Sequence, residues 1–459
     1  MQTSSIPVRV TSRTEAAALR RVILAASLGT LFEWYDFFLY GSLAVFFGGL
    51  FFPKGNDTAQ LLASLATFGA GFGVRPLGAV VFGHLGDLIG RKYTFLVTMT
   101  TMGLSTALIG VLPTYADIGL WATALLVALR LVQGLALGGE YGGAATYVAE
   151  HVPDARRGYY TSFIQTTATL GFFLSMLVIA SNRLAFGPES FKAWGWRVPF
   201  LLSFVLLGVS LYIRLKMQES PLFAKAKRAG TTSPNPLRES FGNPLNRKYV
   251  MLALFGSTAG MGVTWYTGQF YALTFLQTTL KLPWQTSYLL VSIALALATP
   301  LFVYFGALSD RVGRKKVMLS GCALAALTYI PIYMAMSHFA HPINHLALVL
   351  LLLIQMIYVC MIYGPTAAFL VEMFPTKIRY TSMSVPYHLG TGWFGGFLPL
   401  IATAVTTSEW AKATFGANAM YMGLVYPVAV CVITVVVGGL FIRETKDHRI
   451  DSDEHPMGD

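Results

Sequence analysis

The chain has 459 residues, of which 55% are hydrophobic and only 12% are charged, with a mean hydropathy of +0.59. A soluble protein carries about 25% charged residues, so this composition excludes a soluble fold. A net charge of +12 would indicate nucleic-acid binding in a soluble domain. Here the positions of the basic residues in the loops relate this charge to membrane orientation instead, as described below. Cys322, Cys360 and Cys431 lie in apolar stretches without metal-ligand or redox spacing, so we expect no metal site, cofactor or disulfide framework.

Twelve apolar segments are long enough to cross a bilayer, for which a helix needs about 20 residues. The one long polar break, residues 216–248, is rich in Lys, Arg, Pro and Ser. The sequence therefore predicts an all-α integral membrane protein with two pseudo-symmetric six-helix bundles. Their bounds are 1–215 and 249–459, joined by a cytoplasmic linker at 216–248. The predicted spans, numbered 1 to 12 below, are residues 21–49, 60–85, 92–112, 119–148, 158–184, 196–215, 249–278, 285–309, 316–337, 345–372, 380–407 and 418–442.

The positions of the basic residues predict the orientation, because Lys and Arg concentrate in cytoplasmic loops. If both termini are cytoplasmic, 25 of the 33 Lys and Arg residues fall on the inner side and 6 on the outer side. The remaining two, Arg75 and Arg130, fall inside spans. We therefore predict cytoplasmic termini and no nucleic-acid partner, and we call the predicted cytoplasmic side the inner side.

The two halves carry an internal repeat. Residues 83–92 (GHLGDLIGRK) and 306–315 (GALSDRVGRK) match at six of ten positions, at an offset of 223 residues. A Glu-x-x-Pro-x-x-x-Arg motif begins at Glu150 and recurs at Glu372, at an offset of 222. Repeats of this kind are typical of transporter folds, so the chain is predicted to be a duplicated six-span unit with its axis along the membrane normal.

Several motifs resemble those of known families. The paired GxLxDxxGRK loops resemble the signature of the major facilitator superfamily. Within it, residues 33–41 (EWYDFFLYG), 75–78 (RPLG), 130–134 (RLVQG), 138–141 (GGEY) and 194–200 (WGWRVPF) are similar to the metabolite:proton symporter family. That family includes carriers of organic acids such as oxoglutarate, citrate and shikimate, and carriers of proline and betaine. The resemblance covers nearly the whole chain and implies proton symport, while the substrate stays open.

Three acidic residues inside predicted spans are candidates for proton coupling, since an intramembrane charge costs at least about 2.5–3.5 kcal/mol and marks function by default. Glu33 and Asp36 share one face of span 1 with Tyr40. Asp36 lies near mid-depth and is the preferred proton carrier. Glu33 is open between proton carrier and salt-bridge partner. Glu140 lies nearer the inner side and is open between proton exit and gate partner.

Arg75 and Arg130 are the candidates for binding the substrate. Guanidinium groups stay charged and match carboxylates with two parallel hydrogen bonds, so two arginines near mid-depth predict an anionic substrate. The alternative is that they only neutralise Asp36 and Glu33 in permanent salt bridges. The other residues predicted to line the substrate site are Tyr40, Gln133, Trp265, Tyr266, Gln269, Gln355, Tyr363 and His388. For the aromatic residues and His388, the alternative is ordinary packing between helices.

The repeated loops predict an inner gate that closes while the outer face is open. Their aspartates lie close to the start of the following helices, where the helix dipole favours a carboxylate. In the N-terminal half we expect Glu150 to pair with Arg157. In the C-terminal half we expect Glu372 to pair with Arg379. The alternative is that the loops are positive-inside anchors alone. The predicted gate residues are Gly83, Asp87, Arg91, Glu150, Arg157, Asp310, Arg314, Glu372 and Arg379.

The motifs that the sequence lacks narrow the classes of function. No HExxH, G-x-S-x-G or P-loop pattern supports an enzyme or an ATP-driven pump. A receptor or sensor normally needs an appended soluble module, and each terminus offers about 20 residues. The leading interpretation is a monomeric, proton-coupled carrier in a bacterial inner membrane that imports a mono- or dicarboxylate by alternating access. Uptake of a zwitterion such as proline or betaine is the alternative.

Overall fold

The structure is a computed structural model that describes residues 13–89, 91–139, 141–215, 236–375, 378–448 and 450. Of residues 13–26, 83–89, 91–95, 147, 151, 213, 214 and 236 it describes the backbone alone. Three predicted gate residues, Gly83, Asp87 and Arg91, therefore lie where side chains are not described. Glu140, a predicted proton-coupling residue, lies outside the described residues.

The described part of the chain is helical and contains no strand, as the apolar runs predict. A helix, in places broken or bent, lies over each of the twelve predicted spans. In span order these helices are Arg13–Ser42 with Ala44–Phe51, Asp57–Gly73 with Arg75–Ile89, Arg91–Val111, Leu120–Gly138 with Tyr141–His151, Arg157–Ser190, Arg197–Leu215, Pro244–Ala253 with Ala259–Tyr266 and Ala272–Thr274, Trp284–Val312, Arg314–Ala340, His345–Met373, Arg379–His388 with Leu398–Thr407, and Ala419–Met422 with Val425–Phe441.

Length and hydropathy alone assign fewer membrane crossings than twelve. Among the described residues, seven helices are long and apolar enough to cross a bilayer, and counting two bent helix pairs raises the number to nine. Shorter apolar helices lie at Leu96–Val111 in span 3 and Arg197–Tyr212 in span 6. The count of twelve spans, the division into two bundles and the cytoplasmic termini stay predictions.

Helix packing around span 4 depends on glycine. A Cβ atom at Gly134 would lie 1.8 Å from the carbonyl oxygen of Gly71 in span 2, so the two backbones are in direct contact. Gly142, eight residues further along, faces the other half instead, where an added Cβ would lie 2.1 Å from the hydroxyl oxygen of Ser384. Small residues at both positions allow the close approach that drives helix association in membranes.

We expect Gly134→Ala to lower the free energy of unfolding by about 1–3 kcal/mol, because the added methyl group forces the backbones of spans 2 and 4 apart. The measurement is thermal unfolding of the purified protein in detergent. The matched control is Gly208→Ala in span 6, where a Cβ would have no atom within 4 Å. Because alanine favours helix over glycine, the control should be as stable as the wild type or slightly more. Equal stability of the two variants would contradict the packing contact.

The two halves pack together where span 5 meets span 8 and where span 2 meets span 11. At the first contact, a Cβ on Gly158 would lie 2.6 Å from the carbonyl oxygen of Gly306. At the second contact, the Phe72 ring lies on Gly396, where an added Cβ would lie 2.4 Å from the ring. Glycine therefore permits close contact between the halves on both sides of the molecule.

Spans 7 and 11 depart from the regular α-helix. Span 7 contains π-helical turns at Leu254–Thr258, Thr267–Tyr271 and Phe275–Thr279, and span 11 contains one at Leu389–Gly396. Such turns occur frequently at functional sites. Both spans contribute side chains to the cavity described next.

Candidate functional site

A small cavity, with room for about one water molecule, lies between the two halves. Most of the side chains around it are aromatic. Of the residues predicted to line a site, Trp265, Tyr266 and Tyr363 do so. The lining residues are Trp34, Phe38 and Ala168 from the N-terminal half and Met261, Trp265, Tyr266, Tyr363, Tyr387 and Thr391 from the C-terminal half.

Arg75, at the break in span 2, is fully buried behind this lining. None of its three guanidinium nitrogens has a hydrogen-bond partner. The guanidinium carbon lies 5.2 Å from the ring centre of Trp34 and 5.0 Å from that of Phe72. Arg75 is thus a buried cation whose hydrogen-bonding capacity is unused.

Arg130 in span 4 is also fully buried, but its guanidinium fork is occupied. Nη1 donates to the side chain of Gln133 at 2.7 Å and to the carbonyl of Phe37 at 3.2 Å, and Nη2 donates to the carbonyl of Phe68 at 3.5 Å. Gln133 in turn donates to the hydroxyl of Thr106 in span 3 at 2.7 Å. Arg130 and Gln133 therefore connect spans 1, 2, 3 and 4 in this conformation.

Asp36 lies apart from both arginines. Its carboxylate is buried and accepts a hydrogen bond of 2.6 Å from the hydroxyl of Ser203 in span 6. Among the described residues it forms no salt bridge with either arginine, so the permanent salt bridge considered from the sequence is not present in this conformation. The physical reason is helical: successive side chains lie about 100° apart on a helix, and this face of span 1 packs on span 6.

The other two side chains on the predicted face of span 1 are also buried. Glu33 lies one turn before Asp36 along the helix. The hydroxyl of Tyr40 donates to the carbonyl of Ser64 in span 2 at 3.1 Å. Asp36 therefore contacts span 6 and Tyr40 contacts span 2, and Tyr40 is not among the residues that line the cavity.

Aromatic rings close the cavity toward the outer side. Phe270 of span 7 packs against three rings of the N-terminal half, with centroid distances of 5.1 Å to Phe38, 5.0 Å to Phe68 and 4.2 Å to Phe172. Beyond this cluster, a vestibule of about 640 Å³ is lined by spans 1, 2, 7 and 11 and includes Tyr271, the next residue along span 7. The structure therefore has a small cavity below a larger outer vestibule.

A tyrosine pair closes the cavity toward the inner side. The ring of Tyr141 in span 4 stacks on that of Tyr387 in span 11, with centroids 3.4 Å apart and an interplanar angle of 3°. Tyr387 also shares a hydrogen bond of 2.9 Å with the hydroxyl of Tyr363. Gln165 of span 5 donates to the Tyr141 hydroxyl at 2.9 Å and to the carbonyl of Tyr363 at 3.1 Å. The sequence analysis did not select Tyr141 or Tyr387, although Tyr141 ends the GGEY motif.

Three further predicted lining residues are buried outside the cavity wall. Gln355 donates weakly to the carbonyl of Leu351, at 3.4 Å within its own helix. Gln269 lies in a π-helical turn, and neither polar atom of its side chain has a hydrogen-bond partner. His388 is fully buried next to Tyr387. None of the three is among the residues that enclose the cavity in the described part of the chain.

Glu372 is the centre of an ion-pair network at the inner side. Its carboxylate lies 2.8 Å from Arg157 of the N-terminal half and 3.1 Å from Arg314, and all three side chains are fully buried. A second pair joins Arg379 to Glu150 at 3.7 Å. Both Arg157–Glu372 and Glu150–Arg379 join the N-terminal half to the C-terminal half at the inner side.

This pairing differs from the sequence expectation, which placed each ion pair within one half. Glu150 lies near the end of the helix in span 4, and Arg157 begins the next helix after a turn at Pro153. Both side chains reach the interface between the halves. There Arg157 meets Glu372, the repeat equivalent of Glu150, and Glu150 meets Arg379, the repeat equivalent of Arg157. The repeat alone does not distinguish the two arrangements, because the same four residues satisfy both.

Asp310 also acts across the interface. It lies in the last turn of the helix Trp284–Val312 rather than at the start of the following helix. Its carboxylate accepts hydrogen bonds of 2.8 Å from the backbone N–H groups of Gly158 and Tyr159, and it pairs with Arg314 at 2.6 Å. The dipole that favours this carboxylate is therefore that of span 5 in the other half.

The segment after span 12 adds contacts that the sequence analysis missed. Glu444 accepts hydrogen bonds from the backbone N–H of Arg314 at 2.7 Å, at the start of span 9, and the hydroxyl of Thr445 donates to Glu372 at 2.7 Å. Burial lowers the pKa of the His448 side chain below its usual range, and the Glu372 carboxylate opposes this shift. The segment thus covers the ion-pair network from the inner side.

These features define the class of protein as a multi-pass, all-helical membrane transporter. The sequence profile of the Major Facilitator Superfamily matches residues 27–397. The chain belongs to the Major Facilitator Superfamily, and the resemblance stated from the GRK loops is confirmed. Because the relatives are named as transporters, the expectation that the protein is not an enzyme is confirmed as well.

Similar proteins cover almost the whole chain. The inner membrane metabolite transport protein YhjE of Escherichia coli K12 is 36% identical, over 87% of this chain and 89% of its own length. The shikimate transporter of the same organism is 34% identical, over 93% and 95%. The glycine betaine/proline/ectoine/pipecolic acid transporter OusA of Dickeya dadantii is 33% identical, over 94% and 84%. A structure of the proton:xylose symporter XylE shares the fold, with a TM-score of 0.74 over 95% of this chain and 98% of its own at 17% identity.

Proposed function

We propose that the protein is a proton-coupled symporter that imports a small organic anion, a mono- or dicarboxylate, across a bacterial inner membrane. The observation that carries this proposal is the state of Arg75. Its guanidinium group is buried next to the cavity, and none of its nitrogens has a hydrogen-bond partner. A buried, unpaired charge costs several kcal/mol, and an anionic substrate removes that cost when it binds.

Asp36 supports the proton-coupling part of the proposal. It is a buried carboxylate near mid-depth whose described hydrogen bond comes from a neutral hydroxyl group, that of Ser203. A carboxylate in such surroundings is able to take up and release a proton without breaking an ion pair. Glu33 and Glu140 remain further candidates for the same role. The resemblance to metabolite:proton symporters points the same way.

The closure of the two sides supports alternating access. In this conformation the ion pairs around Glu372 and the stacked Tyr141 and Tyr387 close the inner side. The outer side opens into the vestibule, with the rings around Phe270 between the vestibule and the cavity. Substrate release to the inner side requires that the ion pairs and the tyrosine stack separate. We infer that one chain carries out this cycle as a monomer.

Uptake of a zwitterion is the second candidate, because the cavity is aromatic. Trp34, Trp265, Tyr266 and Tyr387 are among its lining residues. Aromatic faces attract quaternary ammonium groups, while Arg75 would bind the carboxylate of the same molecule. The name of OusA gives glycine betaine and proline among its substrates, and shikimate, named for the shikimate transporter, is a carboxylate without an ammonium group. The relatives therefore support both candidates.

Transport by reconstituted protein tests the proposal. In liposomes with an alkaline interior, we expect accumulation of a radiolabelled organic acid and no accumulation when the pH gradient is collapsed. The Arg75→Gln variant should lose at least about tenfold in uptake, since it lacks the charged hydrogen bonds to a carboxylate. A matched control is Arg183→Gln, whose guanidinium lies over Trp284 at the start of the helix Trp284–Val312. Accumulation of zwitterions alone would favour the second candidate, and uptake unaffected by pH would contradict symport.

A further inference from the structure

Of the two buried arginines near the cavity, only one has an unoccupied guanidinium fork. In the described part of the chain, Arg75 and Arg130 are the buried arginines of the cavity region. Arg75 has Nε, Nη1 and Nη2 without partners, whereas Arg130 has only Nε without one. The two residues are equally buried, so it is hydrogen bonding that distinguishes them.

The guanidinium group of Arg130 is surrounded by aromatic rings as well as hydrogen-bonded. Its guanidinium carbon lies 4.3 Å from the ring centre of Phe37 and 4.7 Å from that of Tyr40. A carboxylate that took the place of Gln133 on Nη1 would also have to displace the Phe37 carbonyl. The side-chain oxygen of Gln133 would then be buried without a donor, which is unfavourable. Arg130 therefore has no open fork for a ligand in this conformation.

The rest of the cavity lining has no charge. The described residues that enclose it are aromatic or aliphatic, apart from the phenol groups and Thr391. A second carboxylate placed among Trp34, Phe38 and Trp265 would lose its water without gaining a cation. Transfer of an unpaired carboxylate out of water is strongly unfavourable, so a dicarboxylate binds poorly unless it is partly protonated.

We propose that the site, once it widens to admit a ligand, selects ligands with one carboxylate, bound by Arg75, whose remaining part is uncharged or carries an ammonium group and packs on the aromatic rings. This inference rests on the proposed function and narrows it from mono- or dicarboxylates to monocarboxylates. Selection follows from the number of open guanidinium forks, so it does not depend on which monocarboxylate is the substrate.

Matched pairs of acids that differ by one carboxylate test the selection on the full-length wild-type protein. Butyrate is compared with succinate, and benzoate with phthalate, at pH 7.5, where all four are ionised. Binding is followed by intrinsic tryptophan fluorescence, since Trp34 and Trp265 line the cavity, and checked by calorimetry. We expect each monocarboxylate to bind at least about tenfold more tightly than its partner. Glycine betaine serves as the zwitterionic probe.

The outcomes separate this inference from the proposed function. Succinate or phthalate binding as tightly as the matched monocarboxylate overturns the selection and leaves the organic-anion proposal standing. Binding of glycine betaine alone supports one carboxylate per ligand and contradicts the organic-anion proposal. No binding of any probe overturns both.

Conservative variants test whether Arg75 is the residue that binds the carboxylate. Arg75→Lys should weaken butyrate binding by about tenfold to a hundredfold, because an ammonium group lacks the planar fork, while the melting temperature stays near that of the wild type. Arg183→Lys is the control. A fall in melting temperature with unchanged affinity for butyrate would show that Arg75 is structural and would overturn the assignment.

Discussion

Glu372→Gln is expected to open the inner side of the transporter. One carboxylate is shared by Arg157 and Arg314, and all three side chains are fully buried. Glutamine removes the negative charge and leaves both arginines buried without this partner. Removing one partner of a buried ion pair costs about 3–5 kcal/mol. The part of this cost that comes from Arg157 falls on the inner-closed conformation alone, since that contact joins the two halves. The conformational equilibrium should therefore shift toward inner opening, and transport should be largely lost.

Thiol labelling measures this shift. A cysteine at Ser384, which is buried between the halves opposite Gly142, should react with an impermeant reagent from the inner side much faster in Glu372→Gln than with Glu372 intact. The native cysteines are buried and give little background. Glu409→Gln is the matched control, because its pair with Lys412 is exposed and contributes about 0–1 kcal/mol. Equal labelling rates in the two variants would contradict a gating role for Glu372.

Asp36→Asn is expected to abolish accumulation driven by the pH gradient while substrate counterflow continues. The asparagine oxygen still accepts the hydrogen bond from Ser203, so the contact between spans 1 and 6 is kept. The side chain no longer takes up a proton, so net coupled transport stops. Exchange of labelled for unlabelled substrate needs no net proton movement and should remain.

Both assays are run on the same liposomes, with Asp447→Asn as the control. Asp447 is exposed and pairs weakly with Lys446 at 3.9 Å, outside the spans. Full accumulation by Asp36→Asn would transfer the proton role to Glu33 or Glu140. Loss of both activities together with a lower melting temperature would make Asp36 a structural residue.

Much of the fold was accessible from the sequence, because membrane helices are specified locally. Each run of about 20 apolar residues must form a helix in lipid to satisfy its backbone hydrogen bonds, and a helix lies over every predicted span. The breaks were not predicted. They include the bend between Ser42 and Ala44 and the π-helical turns of span 7. Burial of Arg75 and Arg130 was also expected, since both fall within spans.

The pairing of the charged residues was less accessible. The sequence identified Glu150, Arg157, Glu372 and Arg379 as a set, and the structure joins them across the halves instead of within them. Asp310 likewise binds backbone N–H groups of the other half. A residue's type and spacing do not specify which of two equally distant partners it meets. That choice depends on how the halves pack.

Composition, apolar periodicity and the repeated motifs determined by themselves that this chain is a helical membrane transporter with buried arginines and a charged inner face. Those properties depend on solvent and on local chain geometry, so they can be read residue by residue. Only the tertiary structure decided that the guanidinium group of Arg130 is hydrogen-bonded and that of Arg75 is not. It also decided that Tyr141 stacks on Tyr387. The physical reason is that a hydrogen bond requires a donor and an acceptor within about 3 Å, and helices far apart in the sequence reach that distance only when the whole bundle is packed.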